Sequence, residues 1–329
     1  MSIRDEVITT QDKQVISYNF TNMNEILEEV HGNKWTNYRR KWTATSDINN
    51  ISDIPLYLLL ELNSFCNLRC KMCKHANDDN TKVNRRSMPM DIFYKIMDET
   101  KDLKIPSINI GTGTECTLHP NFKEIALNVK KTGAIDKFFL TNGSTLSDDM
   151  IQNIFDGEYE RVEISMDAAT SNTYTKIRIN GNYHKLEKMV LKLISEKQKR
   201  KSKLPLIRLS FCVQDDNINE IDLFYEKWKN KVDMIEYQKI SIPNQTGGVP
   251  KLKRCHQPYN RLSIDYNGNI YPCCSILYQN SYCLGNIKDI TIYEAWHGEK
   301  MQALRTGFES GKMMHHCKEC LLSIYGEEL

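Results

Sequence analysis

The chain has 329 residues, enough for one large domain or two modest ones around a substantial core. Its 44 Lys and Arg against 42 Asp and Glu leave a net charge of +2, so no global field draws it onto nucleic acid or an anionic membrane. The longest apolar run, Ile54–Leu60, is broken by Pro55 and too short to span a bilayer, and Met1–Gln14 lacks the apolar core of a secretion signal, so a cytoplasmic globular protein is expected.

In chain order, residues 1–53 hold a short helical stretch, Asn24–His31, and a Trp/Tyr/Arg-rich piece, Trp35–Trp42. They read as an amino-terminal extension packed on a larger α/β body. Next, six strand-like runs (Leu56–Leu62, Ser107–Gly111, Lys137–Thr141, Arg161–Met166, Leu206–Val213 and Met234–Gln238) alternate with stretches of helical periodicity. The helical stretches are Asp91–Leu103, Phe122–Lys131, Asp148–Phe155, His184–Lys199 and Ile218–Lys229, several of them after a capping Asn, Asp or Ser. Repeated strand–helix units demand parallel pairing and right-handed crossovers, with functional residues gathered at the carboxyl ends of the strands. Six units predict an α/β fold built on a partial (β/α)6 TIM-like barrel over residues 54–240. The basic run Lys197–Lys203 falls at a helix end, where cations complement the dipole, and reads as a solvated face. Ser241–Pro250, with Gly247-Gly248, reads as a linker, and residues 241–329 as a small cysteine-rich second domain.

Eleven cysteines in a reducing compartment point to metal ligation or redox chemistry rather than to a disulfide framework. Cys66, Cys70 and Cys73 directly follow the first strand and place three thiolates at the catalytic end of the barrel. With His75 they satisfy a tetrahedral zinc site. They equally suit three corners of a [4Fe–4S] cube, leaving one iron open to a reactant. Cys255, Cys273, Cys317 and Cys320 form a second metal site, zinc or [4Fe–4S], with Cys274 adjoining Cys273 as the rival ligand. Buried free cysteines are ordinarily small apolar residues, the reading for Cys283 and Cys274.

The loop Cys66-Asn-Leu-Arg-Cys70-Lys-Met-Cys73 after the first strand resembles the signature of the radical S-adenosylmethionine (SAM) enzymes, over roughly residues 55–240. The resemblance implies an open iron that chelates the amino and carboxylate groups of SAM. It also implies reductive cleavage to methionine and a 5′-deoxyadenosyl radical that takes a substrate hydrogen, with flavodoxin or ferredoxin as reductant. The segment Gly111-Thr-Gly-Thr-Glu-Cys116 resembles the family's Gly-Gly-Glu-Pro segment that binds the SAM amino group; Gly113 and Glu115 match, while Thr114 and Cys116 depart. Thr141-Asn142-Gly143 and Ser165-Met-Asp167 resemble segments that touch the ribose or the methionine carboxylate. Arg178 resembles a position near that carboxylate, and Met72 a residue whose backbone lies against the adenine.

The tail resembles the opening half of a SPASM domain, through the Ser263-Ile-Asp265-Tyr-Asn-Gly268 hairpin and Leu284-Gly-Asn before a helix bearing Trp296. With nine residues after Cys320, the resemblance implies the shortened twitch form, holding one auxiliary [4Fe–4S] cluster on Cys255, Cys273, Cys317 and Cys320. Twitch enzymes of sugar chemistry imply hydrogen abstraction from a carbohydrate-type substrate (an amino-sugar, an aminocyclitol or a nucleotide-linked sugar), oxidising, epimerising or dehydrating a carbinol centre. In an epimerase, Cys212 or Cys116 would return the hydrogen. One alternative is a maturase of a ribosomally made peptide, which residues 1–53 are short to serve as a leader-binding module. The last is a non-catalytic zinc or iron–sulfur protein. No nucleic-acid or membrane partner is expected, and His119, Gln214, Asp216, Tyr237 and Gln238, all near strand ends, receive no assigned role.

Overall fold

The computed structural model describes residues 2–9, 15–45, 50–76, 85–239, 250 and 254–325. Apart from Pro250, the expected linker lies outside the described residues. The six expected strands form as β2 (Tyr57–Leu60), β4 (Ser107–Asn109), β5 (Asp136–Thr141), β6 (Arg161–Ser165), β8 (Leu206–Val213) and β9 (Met234–Lys239). They pair in parallel in that order, joined by helices such as Met90–Asp102, Asp148–Asp156 and Tyr183–Lys199. Along β2 the side chains alternate: Leu58 and Leu60 enter the main core with Phe93 and Ile96 of the first of these helices, whereas Tyr57 and Leu59 pack with Phe138. One face of the sheet is therefore covered by helices and the other faces the barrel axis.

The sheet does not close on itself; both of its edges are extended. On the far side, β1 (Val15–Asn19) pairs antiparallel to β9. On the near side, β10 (Arg261–Ile264) pairs in parallel with β2 and turns at Gly268 into β11 (Asn269–Tyr271) and β12 (Gly285–Asn286). The cysteine-rich tail thus continues the barrel sheet, and Trp296 pins it further by donating from Nε1 to the Ser52 carbonyl at 2.8 Å. The Trp/Tyr/Arg-rich piece is a helix, Asn33–Ala44, after a first one at Met23–His31; Trp35 and Tyr38 bury against Leu56, Ile135 and Leu206. In the basic run, Lys197 binds Asp233 at 2.7 Å and Lys203 pairs with Glu29. No helix among the described residues is long and apolar enough to cross a membrane.

Charged side chains cross the axial face as a ladder. Arg161 binds Asp136 through Nε and Nη2, each at 2.8 Å, Glu163 contacts both Arg161 and Arg208, and Arg208 also binds Glu236 at 2.8 Å. Buried pairs of this kind add little net stability, but removing one partner strands the other charge, at a cost of roughly 3 kcal/mol. Replacing Arg161 by Met, which leaves Asp136 without its guanidinium partner, should therefore lower the urea midpoint more than the paired change Arg161→Met with Asp136→Asn. Equal stability of Arg161→Met and wild type in that titration would contradict the ladder's role.

Candidate active site and cysteine sites

The cysteine loop is latched to the barrel by a two-residue antiparallel pair, β3 (Arg69–Cys70) with β7 (Arg178–Ile179), which sets Cys70 opposite Arg178. The Lys71 amide also donates to the Ile177 carbonyl at 3.1 Å. Cys66 Sγ accepts from the Leu68 amide and from Asn142 Nδ2, both at 3.5 Å. Burial raises the Cys66 and Cys70 thiols, Cys70 to about 11; neighbouring thiols add to the rise, and the Arg178 guanidinium opposes it at Cys70. Cys73 adds to the rise at both Cys66 and Cys70, and Cys66 adds to it at Cys70. All three are free thiols, and such a donor set fits an iron–sulfur group, whose positive iron offsets the cost of three thiolates. Among the described residues no three His, Cys, Asp or Glu side chains converge on a single ion position. A cluster takes one thiolate per iron and does not need that convergence.

Glu115 lies at the centre of the strand ends and is 2% exposed. Its Oε1 accepts from Thr141 Oγ1 at 2.6 Å and from the Thr117 hydroxyl; its Oε2 accepts from the Asn142 amide at 2.7 Å. Burial pushes the carboxyl above its usual range and these donors pull it back; among the described residues no cation forms an ion pair with it. Asn142 in turn donates to Cys66 and to Asn67 Oδ1, so Glu115, the third strand end and the cysteine loop are one connected unit. The local backbone requires glycine at two points. A Cβ on Gly111 would lie 2.5 Å from the Leu140 carbonyl oxygen, and Gly113 has φ +78°. Thr114 Oγ1 donates to the Asn63 carbonyl at 2.6 Å, and Asn63 Nδ2 returns a bond to the Glu115 carbonyl at 2.8 Å.

Across the mouth, Arg178 Nε binds Asp167 Oδ2 at 2.6 Å, and Asp167 Oδ1 accepts from the Cys212 amide at 2.7 Å. Asn217 closes this corner by donating from Nδ2 to the Asp167 and Cys212 carbonyls. Asp167, Arg178, Cys70 and Cys212 are thus brought together; burial, then Asp167, pushes the Cys212 thiol up to about 12. Ser165 ends β6 opposite Ser210, and Met72 Sδ lies 3.8 Å from Gln214 Nε2, which places Gln214 on the cysteine loop. Asp216 binds Lys71 at 2.7 Å. Cys116 is placed differently: it is 2% exposed, belongs to the main core, and points its Sγ at the Leu140 carbonyl. His119 bonds the Met88 carbonyl, Tyr237 donates to the Ile221 carbonyl and Gln238 to Glu236, all bonds within the scaffold.

Sequence reasoning passed over Glu61, one residue beyond β2. Its amide still bonds the Ile264 carbonyl, and by alternation with Leu60 and Leu62 its side chain takes the axial face. The carboxyl is buried beside Asp265, with Tyr266 and Tyr271 close by, and burial followed by Asp265 raises it to about 8. Asp265 itself is committed to the β10–β11 turn, accepting from the Asn267 and Asn269 amides. The signal was a lone Glu inside the apolar run Leu56–Leu62.

In the tail, Cys255, Cys273, Cys317 and Cys320 line one cavity, with His316 beside them. Cys274 is turned toward Gln257 and Tyr57 instead, so the cavity gathers the four cysteines of the expected set. Burial and neighbouring thiols raise Cys255, Cys273 and Cys317, Cys255 to about 11 and Cys317 to about 12, and the set of four donors fits a second iron–sulfur group.

A raised carboxyl means that the folded chain binds the Glu61 proton more tightly than the unfolded chain does. That contribution is complete below the unfolded value and is lost as pH rises through about 8. Chemical denaturation at a series of pH values should show wild type losing stability relative to Glu61→Gln between about pH 5 and pH 8. A constant offset across that range would contradict the assignment.

A family model described as the radical SAM superfamily matches residues 60–227, and one described as an iron–sulfur cluster-binding domain, SPASM, matches residues 255–321. A cofactor-modifying protein for the tungsten-containing aldehyde ferredoxin oxidoreductase of Pyrococcus furiosus is 24% identical over 325 residues, 81% of this chain and 87% of that protein. A GTP 3′,8-cyclase of Clostridium perfringens is 25% identical over 196 residues, and the match spans only 58% of the cyclase. Among solved structures, Streptococcus suis SuiB bound to S-adenosylmethionine shares the fold at TM-score 0.59 and 15% identity, covering 90% of this chain and 78% of SuiB. BtrN in complex with AdoMet and 2-DOIA does so at TM-score 0.51 and 17% identity, covering 82% and 92%. With the matched segments spanning the barrel and the cysteine-rich tail, the chain belongs to the radical SAM superfamily and carries a SPASM domain, which together imply SAM and [4Fe–4S] clusters, one of them auxiliary.

Proposed function

We propose that Cys66, Cys70 and Cys73 hold a [4Fe–4S] cluster with one open iron, and that the enzyme oxidises a carbinol centre of a small carbohydrate-type substrate after hydrogen abstraction. The observation that carries this reading is the joining of Cys66, through Asn142, to a buried Glu115 that pairs with no cation among the described residues. When bound, the cluster with SAM supplies a hydrogen-abstracting radical, and the auxiliary cluster on Cys255, Cys273, Cys317 and Cys320 supplies an acceptor for one electron.

The protein's own groups have distinct tasks. Glu115 keeps lone pairs free beyond its three short bonds and accepts the SAM ammonium, a charge-assisted contact in a dry setting. Arg178, fixed by Asp167 beside Cys70, offers positive charge to the SAM carboxylate. Thr141, Asn142 and Ser165 complete the rim, and the backbones of Met72, Gly113 and Thr114 border the nucleoside. Glu61, buried on the axial face and poised to bind or release a proton near neutral pH, takes the hydroxyl proton of the substrate. Cys116 faces the core, which leaves Cys212 as the thiol that would return a hydrogen in an epimerase. The likeness to BtrN, solved with 2-DOIA, supports a small polar substrate; SuiB, also solved with its precursor peptide SuiA, supports the peptide alternative.

Anaerobic reconstitution should give about eight irons per chain in wild type and about four in a Cys66/Cys70/Cys73→Ala variant, with 5′-deoxyadenosine formed only by wild type. Zinc without SAM cleavage would overturn the reading. In a screen of aminocyclitols, amino-sugars and nucleotide-linked sugars, Cys212→Ala should leave product formation within about twofold of wild type, whereas Glu61→Gln should lower it by about 100-fold. Loss of product in Cys212→Ala would assign epimerisation instead, and turnover confined to peptides would assign a maturase.

A further inference from the structure

At the opposite end of the barrel from the cysteine loop lies a cavity of about 760 Å³, within the range of small-molecule sites. Its walls come from the first residues of the strands, such as Tyr57 and Arg261, and from the extension's helices Met23–His31 and Asn33–Ala44. The carboxyl ends that carry the cysteine loop are about 15–20 Å away by strand rise.

Four arginines line the cavity against two carboxylates, Asp136 and Glu163. Arg161 and Arg208 are held in the ladder already described, but Arg39 and Arg261 have no carboxylate partner among the described residues. Instead, both guanidinium groups sit by the ring of Trp42, Arg39 at 5.5 Å and Arg261 at 5.4 Å from its centroid. Tyr57 and Phe138 stack on each other with ring planes 10° apart, Trp42 meets Tyr57 at 62°, and Arg161 covers Phe138 at 3.8 Å, giving an angled aromatic wall. Guanidinium groups match phosphate oxygens bidentately, and aromatic side chains accept heterocycles of varied substitution. Arg261 gives its Nε to Asn260 Oδ1 at 2.9 Å, so the Arg39 guanidinium and the terminal nitrogens of Arg261, beside these rings, make a site for an anion that carries a ring.

We propose that this cavity is a second ligand site, for a nucleoside phosphate, with Arg39 and Arg261 on the phosphate and the Trp42–Tyr57–Phe138 wall against the base. The site stands apart from the proposed radical chemistry and survives if that chemistry is reassigned. The extension that closes it lies outside residues 60–227, so the family match says nothing about it.

The test uses the full iron-loaded chain with saturating SAM, which occupies the other adenosine-binding position. Calorimetric titration with AMP and GMP should show saturable binding at one site, at least about tenfold tighter than ribose 5-phosphate or inorganic phosphate. Arg39→Gln with Arg261→Gln should weaken it by about tenfold or more, with SAM affinity and iron content unchanged, and the corresponding Lys pair should restore part of it. In wild type alone, AMP should slow amide exchange in residues 33–44 and 57–60. Absence of saturation by either nucleotide, equal affinity for inorganic phosphate, unaltered binding in the Gln pair, or unchanged exchange in those segments would each overturn the proposal.

Discussion

The carboxylate of Glu115, buried among the strand ends and paired with no cation among the described residues, is the contact on which the site is built. It draws in Thr141 and the Asn142 amide, and Asn142 reaches from there to Cys66. A loop rich in thiols has little else to hold it, since its backbone pairing with the barrel among the described residues is the two-residue latch with Arg178 and Ile179 and the bond from Lys71 to Ile177. Strand ends are the natural place for such a clasp, because parallel pairing brings several of them to one rim while their own ladder bonds are running out.

Charge is divided between the two ends of the barrel. At the carboxyl rim stand thiols and carboxyls raised by burial, including Glu61, Glu115 and Cys212, with Arg178 tied to Asp167. At the opposite end arginines predominate, and two of them, Arg161 and Arg208, are held in the ladder with Asp136, Glu163 and Glu236. A buried group that resists ionisation is an opening for a bound cation, just as an unpaired guanidinium is an opening for an anion. The fold thus offers two sites of opposite electrostatic character on one axis.

Much of this was legible in the sequence. The six strands were readable because each is a compact run of apolar, aromatic or β-branched residues, and the cysteine spacing singled out the two groups of thiols. What escaped was decided by tertiary contact. Strand β1 is only five residues long and exists because the edge of β9 is open to it. The helix Ser171–Ile177 is a polar, β-branched segment; Thr170 caps it, and Glu220 holds the Thr170 and Thr173 hydroxyls. Cys116 was readable as a site neighbour but not as a core residue, because one step along the loop after Gly113 decides which way a side chain turns. The arginine ladder was hidden because its members are far apart in sequence and meet only through strand register.

The most direct test of the central claim is electron–nuclear double resonance on reduced wild-type protein given SAM labelled with ¹⁵N at its amino group. The account predicts a nitrogen coupling that shows the amino group bound to the cluster held by Cys66, Cys70 and Cys73. A reduced cluster signal that SAM leaves unchanged, with no such coupling, would contradict it.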